Sequence, residues 1–146
     1  MLEEEKVVQL FPKGVNCAMQ VFGDLAPRLG LEQDTAYRIA AAFGGGLDQD
    51  GPCGAVSGAL MALGLACGNY RPGDLEGKMA FLAKKREFEE EFLNRFPGLS
   101  CSEVLGCDRR TDEGKCRILQ EGLVQKLCAP ACCAAAEIVE EMLELD

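Results

Sequence analysis

The sequence predicts an all-α fold: a single-domain helical bundle, residues 1–146, of about six to seven helices around a buried central helix at 52–66. Three observations carry that prediction. Apolar residues recur at helical spacing along most of the chain. Strand signals are nearly missing, with no alternating β-branched run and Thr only at Thr35 and Thr111. The 146 residues suffice for one core, and no linker, low-complexity run or internal repeat divides them.

Each element follows from local signals. Leu2 to Phe11 reads as a short amphipathic helix that Pro12 ends. Asn16 suits the N-cap of the next helix, which carries Cys17 in its first turn and then Val21, Phe22 and Leu25. Gln33 or Asp34 opens a third, with Tyr37, Ile39, Ala40, Ala41 and Phe43, and the glycines Gly44 to Gly46 stop it. Pro52 fits the first position of the central helix, because its missing N–H would have no partner there.

That helix is apolar nearly all round, so it belongs in the core. Gly54, Gly58, Ala62 and Ala66 form a small-residue stripe along it. Close packing inside the chain is the favoured use of the stripe, and a homodimer face is the other. Beyond the loop Gly68–Gly73, a long charged helix spans Asp74 to Phe96, with Leu75, Met79, Leu82, Phe88, Phe92 and Leu93 on its buried side. Ser100-Cys101-Ser102-Glu103 reads as a capping box. A helix from about Asp112 to Leu127 and a last one after Ala129-Pro130 complete the bundle.

Composition excludes several classes of function. The net charge of −9 and the missing basic stripe argue against nucleic acid and against an anionic membrane surface. The longest apolar run, Cys53 to Cys67, is shorter than the roughly 20 residues needed to span a bilayer. The acidic start, Met1-Leu2-Glu3-Glu4-Glu5, lacks the cationic region of a signal peptide, so a cytoplasmic protein is expected. Nine cysteines in that reducing compartment point to metal or redox chemistry rather than structural disulfides. With no histidine in the chain, imidazole ligands and His-dependent catalytic triads are ruled out.

The positions of the cysteines say more than their number. Cys17, Cys53 and Cys101 each fall in an expected first helical turn, and Cys128 immediately precedes the last helix. Unpaired N–H groups and the positive end of the macrodipole favour thiolates at such places. If the four ends converge they make a tetrathiolate site, which suits an iron–sulfur cluster or zinc. Their spacing matches neither zinc ribbons nor ferredoxin runs, and small buried thiols remain the plain alternative. Cys67 lies fourteen residues past Cys53, roughly 21 Å along one helix, too far to share its site. Cys107 and Cys116 flank a polar turn, and Cys132 or Cys133 offers an alternative to Cys128 as fourth ligand.

These pieces resemble a known family. Asn16-Cys17-Ala18, Phe43-Gly44-Gly45-Gly46, the CGAxxG run Cys53–Gly58, Cys101 with Glu103 and Leu105-Gly106, and Cys128 upstream of Ala136-Glu137-Ile138 match the family named for its C_GCAxxG_C_C cysteine pattern. The resemblance implies a small cytoplasmic helical protein with a redox role and four signature cysteines, Cys17, Cys53, Cys101 and Cys128. The chain is also similar to a domain of split-Soret cytochromes, which implies an iron–sulfur site; no C-x-x-C-H occurs, so covalent haem is not expected. Electron transfer or redox sensing with another redox protein as partner is therefore the leading expectation. A metal-free thiol–disulfide protein and a structural zinc module are the alternatives.

Overall fold

Hydrophobic periodicity becomes helix nearly wherever the chain carries it. In the computed structural model, which describes residues 2–145, the α-helices are α1 (Glu4–Leu10), α2 (Cys17–Leu25), α3 (Gln33–Ala40), α4 (Gly54–Cys67), α5 (Leu75–Leu93), α6 (Cys101–Leu105), α7 (Asp112–Gln120) and α8 (Ala129–Met142). Short 3₁₀ turns follow α1 and α2, and a π-helical turn, Val124–Cys128, runs directly into α8. Among the described residues there is no strand, only one isolated antiparallel bridge between Pro52 and Ser100. No single helix among them is long and apolar enough to cross a membrane.

Side-chain caps set several helix starts. Asn16 accepts from the Met19 N–H at 3.0 Å, Asp74 from Gly77 at 2.9 Å and Thr111 from Gly114 at 2.9 Å. Ser100 accepts from the Glu103 N–H, and the Glu103 carboxylate accepts from the Ser100 N–H, closing the capping box. The third helix does start at Gln33, although Glu32 before it makes no side-chain cap. It stops at Ala40, so Phe43 lies in the turn beyond.

The core forms where α2 meets α3, α4 and α8, with α5 closing against α4 and α8. The small-residue stripe of α4 works inside the chain. A Cβ added at Gly58 would stand 2.6 Å from the Ala18 carbonyl oxygen, so the backbones of α2 and α4 approach as closely as only glycine permits. Gln20 is the buried polar residue of this core, and its amide donates to the carbonyls of Val7 and Val15 at 3.0 Å each. Those bonds fasten α1 and the turn after it to α2.

Four details differ from the sequence reading. The central helix begins at Gly54, not Pro52, because Pro52 is held extended against Ser100 and Cys53 becomes the N-cap. Its last residues, from Leu65 on, leave the core, so α2 is the more completely covered helix. In α5 the inward stripe runs through Phe81, Phe88 and Phe92, while Leu75 and Met79 lie beside it at 73% and 61% exposure. Finally, the helix expected over 112–127 breaks at Gly122, whose φ of +62° takes the left-handed region.

Candidate functional site: a buried thiol cluster

The bridge between Pro52 and Ser100 places two of the thiols. The Cys53 N–H donates to the Leu99 carbonyl at 2.6 Å, and the Cys101 N–H to the Gly51 carbonyl at 3.0 Å. The start of α4 is thereby tied to the start of α6. Asp50 strengthens the tie by accepting from the Ser102 N–H at 2.9 Å, and the Ser102 side chain first and this N–H second hold its carboxyl below the usual range.

Cys17, the first residue of α2, faces the same place. A Cβ at Gly54 would lie 2.9 Å from the Cys17 sulfur, and one at Gly46 would lie 2.9 Å from the Cys101 Cβ. The glycines of the CGAxxG run and of the triple-glycine turn therefore make room for sulfur. From α8, the fully buried Cys132 acts on the acidity of the Cys17 thiol. Cys128, four residues earlier and so on the same helix face, is half-buried nearby.

The glycine turn roofs the cluster. Gly45, Gly46, Leu47 and Asp48 all have φ between +56° and +64°. Glycine adopts this region freely, whereas Leu47 and Asp48 are strained there, so other bonds must hold them. The Gly46 carbonyl accepts from the N–H groups of Gln49 and Gly51. Arg109 donates to the Gly45 carbonyl at 3.3 Å and pairs with Asp48, clamping the turn from the segment after α6.

The thiols differ sharply in acidity. Cys17 is lowered from 9.0 to about 6, first by the Cys132 side chain, then by the N–H groups of Gly45 and of Cys17 itself and by Arg109, which together outweigh its burial. Cys53 moves the other way, to about 12: desolvation and the neighbouring Cys17 charge exceed the help of the Ala55 and Val56 N–H groups. Burial and Cys17 also push Cys101 up to about 11, and raise Cys128, which further feels Cys53 and Cys101. Cys132 is raised by its interaction with the Cys17 side chain and then by burial. Of the helix starts at which the sequence suggested thiolates, Cys17 is favoured as one and Cys53 is not. The N–H donors at the start of α4 act as expected but lose to burial and like charge.

Cys17, Cys53, Cys101 and Cys128 therefore lie within electrostatic reach of one another, with Cys132 as a fifth member. Among the described residues, however, no three Cys, Asp or Glu side chains are arranged to hold a metal ion. A tetrahedral ion with bonds of about 2.3 Å needs sulfurs roughly 3.8 Å apart, and the thiols do not form such a cage. A polynuclear cluster makes a looser demand, because its iron atoms are shared out among the thiolates. The donor set, all sulfur and largely buried, fits that chemistry.

The other cysteines stand apart. Cys67 is exposed at the far end of α4 and bonds to the Leu63 carbonyl within its own helix. Cys133 turns away, its thiol raised by burial and then by Glu4, Asp24 and Glu137. Cys116 is exposed, and Cys107 donates to the Gly114 carbonyl at 3.8 Å rather than pairing with it. Sequence reasoning did not find Arg109 or the Asp50 tie, since both act through contacts with residues far along the chain. Cys132 did carry a signal, its four-residue spacing from Cys128.

A comparison with curated proteins and one with solved structures gave no match. Residues 15–142, which contain all five clustered thiols and the glycine turn, match the family described as "Putative redox-active protein (C_GCAxxG_C_C)". On that match, over nearly the whole length, the chain belongs to the C_GCAxxG_C_C family.

Proposed function

We propose that the protein carries or senses electrons at this thiol cluster, with Cys17, Cys53, Cys101 and Cys128 as the ligands of an iron–sulfur cluster. The observation that supports this reading is that Cys53, Cys101 and Cys128, at or beside the starts of α4, α6 and α8, all feel the charge of Cys17 at the start of α2. Such a group, when bound, supplies a carrier of single electrons. The chain's own part is to supply thiolates, exclude water and offset negative charge. The Gly45, Ala55 and Val56 N–H groups and the Arg109 guanidinium are placed for the last task. The redox partner would be another protein, and the setting the cytoplasm.

Anaerobic reconstitution of the reduced protein with iron and sulfide tests the reading. Expected are a brown product, a charge-transfer absorption band, and bound iron and sulfide. Cys53→Ser should abolish loading, and Cys67→Ser should leave it intact. No loading, zinc alone, or equal loss from both substitutions overturns the assignment. The lowered Cys17 thiol supports a second reading, metal-free thiol–disulfide chemistry at the same site.

A further inference from the structure

The two halves of α5 differ in what covers them. Phe88 and Phe92, in the second half, are fully buried, whereas Leu75 and Met79, in the first, stay largely exposed. Leu75, Met79, Leu82 and Arg86 follow one another at spacings of four, three and four residues, so they form one stripe along the helix. This stripe lies about a third of a turn round the axis from Phe81, Phe88 and Phe92. Leu65 and Tyr70, just before it in the chain, are exposed as well. Half of the large apolar side chains left exposed among the described residues thus fall between Leu65 and Met79. Scattered apolar residues need no explanation, but a concentration of this kind marks a contact surface.

Charge says what covers the stripe. Asp74 and Glu76 stand at its start, Lys85 and Arg86 at its end. Lys85 is held within the chain by Glu89, but Glu76 and Arg86 are exposed and take no ion-pair partner among the described residues. A second copy of the same helix, laid antiparallel across the stripe, meets this pattern with its inverse. About a two-fold axis level with Ala80, Met79 of each copy falls beside Leu82 of the other, and Leu75 beside the aliphatic stem of Arg86. The acidic start of one stripe then lies along the basic end of the other. A parallel copy would set like charge on like.

We propose that two copies of the chain pair through the first halves of their α5 helices, antiparallel, with Glu76 of each copy beside Arg86 of the other. The inference is independent of what the thiol cluster carries. The paired stretch is about three helical turns long, less than a standard interface of about 800 Å² per partner engages. The dimer is therefore a weak one that forms and dissociates as concentration changes.

Sedimentation velocity on the reduced protein tests this, with a dithiol present so that the exposed Cys67 and Cys116 cannot link copies. The mass should rise from that of one chain at low micromolar concentration toward twice that near millimolar. The variants all alter exposed side chains, and an unchanged helical circular dichroism spectrum confirms that each folds. Met79→Glu should leave the protein monomeric throughout. Glu76→Arg and Arg86→Glu each set like charges together at two symmetric places, and each should weaken association about tenfold or more. Combining Glu76→Arg with Arg86→Glu restores opposite charges and should restore the dimer. Wild-type protein that stays monomeric to near millimolar overturns the proposal and leaves the face to a different partner. A dimer that Met79→Glu does not weaken, or a combined variant as weak as either single one, overturns it too.

Discussion

At the scale of single residues, the site is governed by a contest between desolvation and hydrogen-bond donation, decided differently at each sulfur. Cys17 has donors enough to overcome its burial; Cys53 and Cys101 do not. In reduced, metal-free protein the ultraviolet thiolate band should therefore show one buried thiol titrating far below the ordinary range, and Cys17→Ser should remove that step. Arg109→Gln should move the step upward, since Arg109 favours the Cys17 charge and holds the Gly45 turn. The effect on stability has a definite sign. A thiol lowered from 9.0 to about 6 on folding contributes stability that is fully present above pH 9 and is lost as the pH falls toward 6. Cys53 and Cys101, raised to about 12 and about 11, contribute below pH 9 and lose that contribution as the pH rises through those values. Urea midpoints of the metal-free protein should thus rise from pH 6 to pH 9, and Cys17→Ser should flatten that rise. A slope unchanged by the substitution would mean that the thiolate lies elsewhere.

At the scale of elements, what was legible in the sequence was what depends on neighbours in the chain. Asn16 and Ser100 announce their helices because a cap bonds three residues ahead, and Asp74 and Thr111 cap theirs in the same way. The start of α4 was misplaced by two residues because a distant strip of chain, Leu99–Cys101, captures Gly51–Cys53 before the helix begins. Nothing near Pro52 signals that capture. Similarly, apolar spacing found α5 but not which of two adjacent stripes faces inward, since that depends on where α4 and α8 lie. The glycine stripe of α4 was legible, and its close approach can be tested by contrast within one helix. At Gly58 an added Cβ meets the backbone of α2 at 2.6 Å, whereas at Gly64 the nearest atom is the tip of Phe81 at 3.9 Å. Gly58→Ala should cost about 1–3 kcal/mol by overpacking. Gly64→Ala should be neutral or stabilise by up to about 1 kcal/mol, as alanine does in a helix interior. Similar losses at both positions, measured by urea unfolding, would show that helix packing does not set the requirement for glycine.

At the scale of the whole molecule, charge is the property that selects partners. The chain carries 24 acidic and 15 basic residues, a net −9. Several of its arginines are already engaged: Arg28 with Asp24 and Glu140, Arg109 with Asp48, Arg110 with Asp108, Arg117 with Glu121. The cationic group Arg109, Arg110 and Lys115 beside the glycine turn includes Asp48 and has Asp108 bonded to Arg110, which offsets its charge. A phosphate backbone would meet repulsion over most of the surface, and the counterion release that drives protein–DNA association needs free lysines and arginines in a row. A redox partner with a basic docking face, by contrast, would be steered toward this surface, and the rate of its electron exchange should fall as salt rises. For nucleic acid the expected outcome is no complex in a mobility-shift assay at low salt, where electrostatic binding is strongest. A complex that weakens tenfold or more on moderate addition of salt would overturn that expectation.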